Sequence, residues 1–276
     1  MRTRRSERIG AYAILITCSV IALYPFVSIL GLALSPPGER PSGFSFPTEL
    51  YFGNFAKAWS GGGFDTALIS SLVVATAVVV GTIVLALPAG YALGNTRGPV
   101  FALIGGILVV GLVLPYESMI VALYTMFRDW GLLNTWWALI LPQIGLSLSF
   151  ATLWLRTAFR QTPESIAEAA AIDGASRLRT LRSVLVPIMM PTVLTLATLL
   201  FLFTWNEFLL ALVLVPDEQS AQTAPLALSF FAGNRRTNDP AVTAAAAVLV
   251  ALPILITYIF LQRRFITGML AGAMKE

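Results

Sequence analysis

Of 276 residues, 57% are hydrophobic and only 12% charged, roughly half the charged share of a soluble domain, and the mean hydropathy of +0.80 excludes an ordinary soluble protein. A formal charge of +4 and a pI near 9.5 would suit a nucleic-acid binder, yet the basic residues gather at the ends of apolar runs and form no single surface, so no nucleic-acid partner is expected. The chain has no histidine, the usual metal ligand and neutral-pH general base, so no metal site is expected, and the single cysteine, Cys18, excludes an intrachain disulfide.

Arg2, Arg4, Arg5 and Arg8 make residues 1–8 a basic N-terminus ahead of an apolar run over 9–34. Signal-peptide cores are about 7–15 residues long, so this longer run reads as a retained first span. Residues 35–65 are polar and rich in Gly and Pro, with Tyr51, Phe52, Phe55 and Trp59 suited to a membrane interface. A second span is expected over 66–93, a short turn through Arg97, and a third span over 100–123 broken near its far end by Pro115-Tyr116-Glu117. After an outer connection at 124–134 comes a fourth span over 135–155, then a polar segment at 158–190. A fifth span over 192–215 has no internal proline, 216–240 is turn-rich, and a sixth span over 241–261 precedes the basic tail 262–276. Each run meets the roughly 20 apolar residues that a helix needs to cross a bilayer. The expected fold is therefore all-α and polytopic, with six transmembrane helices and the first, 9–34, set apart from five spans over 66–261.

Pro25, Pro88, Pro115, Pro142 and Pro253 lie inside the expected spans, where each frees a carbonyl that must find a partner in protein or water. Thr243, Ala247 and Ala251 form a small-residue face on the sixth span, suited to close helix packing. With a cytoplasmic N-terminus, six spans place both termini, Arg97 and the 158–190 segment on one side, which then holds 13 of the 18 basic residues. The other side keeps Arg40, Lys57, Arg128, Arg235 and Arg236 among several acids, so the charge bias places both termini in the cytoplasm.

The polar segment carries its own helix punctuation. Thr162 can cap, Pro163 suits the first helical position, and Glu164 favours the positive end of a helix. An Ala-rich run over 167–171 follows, and Gly174 can end the helix in a left-handed conformation. Ser176 can cap a second short helix with Leu178, Leu181, Val184 and Leu185 on one face and Arg179 and Arg182 turned away. These features alone fit either an amphipathic loop at the lipid surface or a docking knob for another protein.

The ordered string Glu168-Ala169-Ala170, Asp173-Gly174-Ala175, Val186-Pro187 and Pro191 resembles the EAA loop of binding-protein-dependent ABC importer permeases. Leu181 stands where the sugar-importer branch usually has Phe, and Val186 where it usually has Leu. The stretch from Phe201 to Leu214, containing Trp205-Asn206-Glu207-Phe208, is similar to that branch's fifth-span signature. So are 123–142, with Gly131-Leu132-Leu133-Asn134-Thr135, and the tail through Gln262, Arg263, Arg264, Phe265, Gly268, Ala271, Gly272, Ala273 and Lys275. The branch usually has Asn-Ser early in its second span, where this chain has Ser70-Ser71; the resemblance covers nearly everything after Tyr51.

Trp205-Asn206-Glu207-Phe208 is the most polar group inside any expected span. At about 1.5 Å per residue Glu207 lies roughly 24 Å along the helix from Pro191, in the outer part of a core about 30 Å thick. A carboxylate there must face protein, water or a partner chain, so it either lines a solute path or makes a structural hydrogen bond. A phosphate-binding loop needs Gly-Lys before Ser or Thr, but the only lysines, Lys57 and Lys275, follow Ala56 and Met274. An ion-coupled secondary carrier, usually built from two repeat halves with several intramembrane charges, fits less well; a permease for a non-sugar solute, sharing the 158–190 segment but paired with a different binding protein, stays open.

The resemblance implies a type I ABC importer permease fold in a bacterial plasma membrane. It implies a second homologous permease, two ATP-binding cassette subunits that bind ATP and Mg, and an extracytoplasmic sugar-binding protein. It gives 158–190 the role of the ATPase-coupling loop, carried by Glu164, Glu168, Ala169, Ala170, Asp173, Gly174, Ala175 and Pro187. Trp205, Asn206, Glu207 and Phe208 then become candidates for the solute path. No catalytic residue and no cofactor of its own are expected of the chain.

Overall fold

The computed structural model describes residues 5–39, 46–233 and 239–273. Arg2, Arg4, Arg40, Arg235, Arg236 and Lys275, used in the charge argument, lie outside the described residues, as do the side chains of Arg5 and of the tail from Gln262 onward. Every regular element is helical among the described residues: α1 (Arg5–Ala33), α2 (Gly53–Gly61), α3 (Phe64–Asn95), α4 (Pro99–Val113), α5 (Ile120–Asp129), α6 (Trp136–Gln161), α7 (Glu164–Ile172), α8 (Arg177–Thr180), α9 (Val186–Ile188), α10 (Met190–Trp205), α11 (Leu209–Leu214), α12 (Ala224–Gly233) and α13 (Pro240–Ala273). Four stretches are long and apolar enough to cross a membrane: Glu7–Ala33, Phe64–Asn95, Trp136–Gln161 and Pro240–Ile259. Two further pairs are bent, Pro99–Val113 with Tyr116–Asp129 by 87°, and Arg177–Ile188 with Met190–Trp205 by 80°; counting each as one span gives six.

Residues divide into two compact units, one of 1–65 with 227–252 and the other of 66–226 with 253–276. In the first, no residue of α1 from Glu7 to Leu30 is buried, as befits a helix solvated by lipid, and Cys18 is exposed. Its end is tied down by polar bonds. The Asn54 amide, itself fully buried, donates to the carbonyls of Ala33 (3.0 Å) and Ser35 (2.8 Å), which joins α2 to the close of α1. Phe64 and Phe231 meet edge to face at 5.6 Å. On α13, Ala241, Ala244, Ala245 and Ala246 are buried, and Thr243, Ala247 and Ala251 are half-buried.

In the second unit the spans pack through glycine. A methyl added at Gly90 would come within 2.8 Å of Leu155 Cβ, and one at Gly94 within 3.0 Å of Phe159 Cβ, so the Gly90/Gly94 pair lets α3 and α6 approach closely. Gly81 meets Ile144 in the same way. On α4, Gly105 faces the Arg156 guanidinium and Gly111 the Ser149 hydroxyl. Lipid is as apolar as leucine, so close contact of this kind, and not exclusion of water, holds such helices together. One apolar cluster joins α3, α5, α6 and α11 through Val78, Phe127, Leu139 and Leu210; another joins α3, α6 and α10 through Ala86, Leu155, Phe159 and Leu196.

The break expected at Pro115 is present, and the continuous fifth span expected over 192–215 is corrected. Pro25, Pro88, Pro142 and Pro253 all sit inside continuous helices. Only the Pro115 region interrupts one: α4 stops at Val113, a single 3₁₀ turn runs Tyr116–Met119, and α5 leaves at a steep angle. The proline-free fifth run breaks too, because α10 ends at Trp205 and α11 begins at Leu209. Polar side chains satisfy the backbone there: Asn206 Nδ2 donates to the Leu202 carbonyl (2.8 Å), and Glu207 Oε1 accepts from the Leu210 amide (2.9 Å).

Candidate functional site

The segment between α6 and α10 forms a knuckle. Thr162 does not cap α7; its hydroxyl donates to the Ala158 carbonyl (3.2 Å) and closes α6, while Pro163 occupies the capping position. Gly174 takes φ +77°, and its amide and that of Ala175 donate to the carbonyls of Ala171 (3.0 Å) and Ala170 (2.9 Å), a left-handed helix stop. Ser176 then caps α8 by accepting from the Arg179 amide at 3.4 Å.

The expected single face of Leu178, Leu181, Val184 and Leu185 is not formed. A π-helical turn over Leu181–Leu185 resets the register, so Leu181 and Leu185 are buried in the core while Leu178 is 72% exposed. Ile172, 87% exposed, stands out from the neighbouring helix. Glu164, Glu168, Ala169, Asp173, Gly174 and Pro187 are exposed, Ala175 is half-buried and Ala170 is buried. Glu164 and Glu168 border one hollow of about 270 Å³ with Tyr91 and Asn95; Ala169, Ala170, Asp173 and Ala175 border another of about 600 Å³ with Arg179 and Ser183. Pro187 borders neither. Among the described residues the only ion pair is Arg128 with Asp129, so none of the knuckle's carboxylates has an ion pair with a described residue.

The residues expected in the solute path separate. Trp205 is 2% exposed and stacks on Phe201 at 5.4 Å, which puts it in the core. Asn206 is exposed, and Phe208 lies at the helix break. Glu207 alone of the four lines a cavity of about 170 Å³, with Tyr116, Gln143, Ser147, Phe150 and Phe203. Both helix breaks, at Pro115 and at Asn206–Phe208, thus reach one polar spot among apolar spans. Sequence reasoning missed Tyr116, Gln143 and Ser147 as members of it, although a polar Gln143 directly after Pro142 in an apolar run was a visible signal.

Three comparisons bear on the chain. Residues 86–269 match the sequence model of the family described as binding-protein-dependent transport system inner membrane component. The chain is 34% identical over 272 residues to the trehalose transport system permease protein SugB of Mycobacterium tuberculosis, covering 98% of this chain and 99% of that one. It is 34% identical over 257 residues to the diacetylchitobiose uptake system permease protein DasC of Streptomyces coelicolor, covering 92% of each. Its fold is similar, with a TM-score of 0.78 and 24% identity, to a chain of a bacterial ABC transporter involved in the import of the acidic polysaccharide alginate, covering 95% of this chain and 99% of that one.

Proposed function

The chain belongs to the binding-protein-dependent transport system inner membrane components, a multi-pass membrane permease and not an enzyme, and from that premise we propose that it forms half of the path by which a carbohydrate enters the cell. The other half is a second, homologous permease. Two ATPase subunits bind ATP and Mg and supply the energy, and an extracytoplasmic binding protein delivers the sugar.

The observation that carries this reading is the α7–Gly174–α8 knuckle. Its α7 and Gly174 lie outside the apolar spans and α8 opens a bent one; it displays Ile172 and Leu178 beside the carboxylates Glu168 and Asp173, which have no ion pair with a described residue, and so suits a groove on another protein. Behind it Leu181 and Leu185 are packed into the core with Leu155, Phe159 and Leu196, so a pull on the knuckle is passed directly to α6 and α10. ATP-driven closure of the ATPase pair would drag the knuckle and swing the permease pair between inward- and outward-open states. The similarity to permeases named for trehalose and diacetylchitobiose supports a sugar as solute.

In liposomes holding both permeases and the ATPase, with the binding protein outside, labelled trehalose and diacetylchitobiose are the first probes. One should be taken up only when ATP is present at the ATPase side. Uptake that follows an ion gradient, or that needs no ATPase subunit, overturns the reading.

Both termini are proposed to be cytoplasmic. After Cys18→Ser, single cysteines replacing the exposed Ser60 and Ser220 should react with an impermeant reagent added to intact cells, and one replacing Ser176 should not. The reverse pattern would invert the topology.

A further inference from the structure

The cavity at the two helix breaks is built like a solute site of its own. Gln143 is only 6% exposed and makes no hydrogen bond to a described residue, yet it lines the cavity. An amide offers two donors and a two-lone-pair acceptor, and a buried one is normally paired. Ser147, one helical turn along α6, lines the same wall. Phe150, on the next turn of the same helix, meets Phe203 of α10 edge to face at 6.1 Å, an apolar surface on which the C–H face of a pyranose can lie.

The electrostatics are one-sided. Glu207 lines the cavity with one oxygen held by the Leu210 amide. None of the residues lining the cavity is basic. Carboxylates without a countercharge, among apolar spans, accept hydrogen bonds from hydroxyls and repel a second anion. At about 170 Å³ the cavity is smaller than the roughly 300–1,000 Å³ of drug-sized ligand sites, so it takes one ring at a time.

We propose that this cavity is a subsite for a single sugar ring without negative charge, with Gln143 and Ser147 pairing ring hydroxyls and Glu207 turning away uronates and phosphorylated or sulfonated sugars. The proposal rests on the carbohydrate-import reading. It also sets this chain apart from its structural neighbour, whose transporter imports an acidic polysaccharide.

The test uses the complete reconstituted complex carrying Cys18→Ser and Thr204→Cys, a lining position that the proposal gives no part in binding, with alkylation by a small maleimide as readout and two probe sugars as protectants. Methyl α-glucoside, at about ten times its Kd, should slow alkylation about tenfold, while glucuronate at the same concentration should not slow it. Adding Gln143→Leu should abolish protection by methyl α-glucoside, and adding Glu207→Gln should allow glucuronate to protect. Leu146→Cys, on the same cavity, is the reporter to use if Thr204→Cys does not assemble. A complex that imports labelled sugar while methyl α-glucoside leaves alkylation unchanged overturns the subsite and leaves carbohydrate import standing. Equal protection by glucuronate overturns the exclusion of anions, and a complex that neither imports a sugar nor is protected by one loses both readings.

Discussion

Gly174→Pro will abolish sugar uptake by the assembled transporter while leaving the chain inserted in the membrane and ATP hydrolysis running uncoupled. Gly174 holds φ +77°, and proline is locked near −65°, so the left-handed stop between α7 and α8 cannot form. The same change deletes the amide that donates to the Ala171 carbonyl at 3.0 Å. Gly174→Ala keeps that amide and costs about 1–2 kcal/mol for a side chain in the left-handed region, so it should impair uptake less. Nothing lies within 4 Å of a methyl group placed there, which makes the effect one of backbone direction and not of crowding. Glu168→Lys tests the same knuckle by charge. Glu168 is exposed and has no ion pair among the described residues, so reversal costs the isolated chain little and should act only against a partner. Uptake of labelled sugar and phosphate release, measured together in proteoliposomes with all subunits, separate coupling from assembly. Normal uptake by both Gly174→Pro and Glu168→Lys would remove this segment from the coupling role.

That knuckle could be read from sequence because its determinants are local. A glycine that ends a helix and a serine that caps the next act within four residues, and both are as expected. The placement of Leu178 was not readable, because an inserted π-turn at Leu181–Leu185 shifts the face by packing and leaves no mark in the hydrophobic period. Span count followed from apolar run length, but helix continuity did not follow from proline. Pro88 and Pro142 are absorbed within tightly packed helices, whereas Asn206 and Glu207 break one by offering side-chain partners to the backbone. Glycine packing between α3 and α6 depends on Gly90 meeting Leu155, a pairing that neither segment announces alone. For the same reason the cavity was half legible: Glu207 was conspicuous as a carboxylate among leucines, while Tyr116 and Gln143 join it only once two other spans have folded.

Glu207 can now be tested with both its jobs in view. Its Oε1 accepts from the Leu210 amide at 2.9 Å, which starts α11 after the break, and Leu210 itself is fully buried against Val78 and Leu139. Glu207→Gln retains a carbonyl oxygen for that amide and hydrogen-bonding capacity toward the cavity, and loses only charge. Glu207→Leu removes the acceptor, and a buried amide left without a partner costs about 1–3 kcal/mol, more than a six-residue helix readily absorbs. Gln is therefore expected to assemble and to import an uncharged sugar at a rate near that of the unmodified chain. Leu is expected to lower the thermal stability of the purified complex and to lose most uptake. A different pattern would follow if the carboxylate were paired with a cation on the second permease: both substitutions would strand that buried charge, and co-purification of the two permeases should fail for each. Co-purification and uptake of labelled sugar, read on the same two variants, distinguish these arrangements. A Leu variant that assembles and transports normally would overturn both, because neither the start of α11 nor the wall of the cavity would then depend on an oxygen at this position.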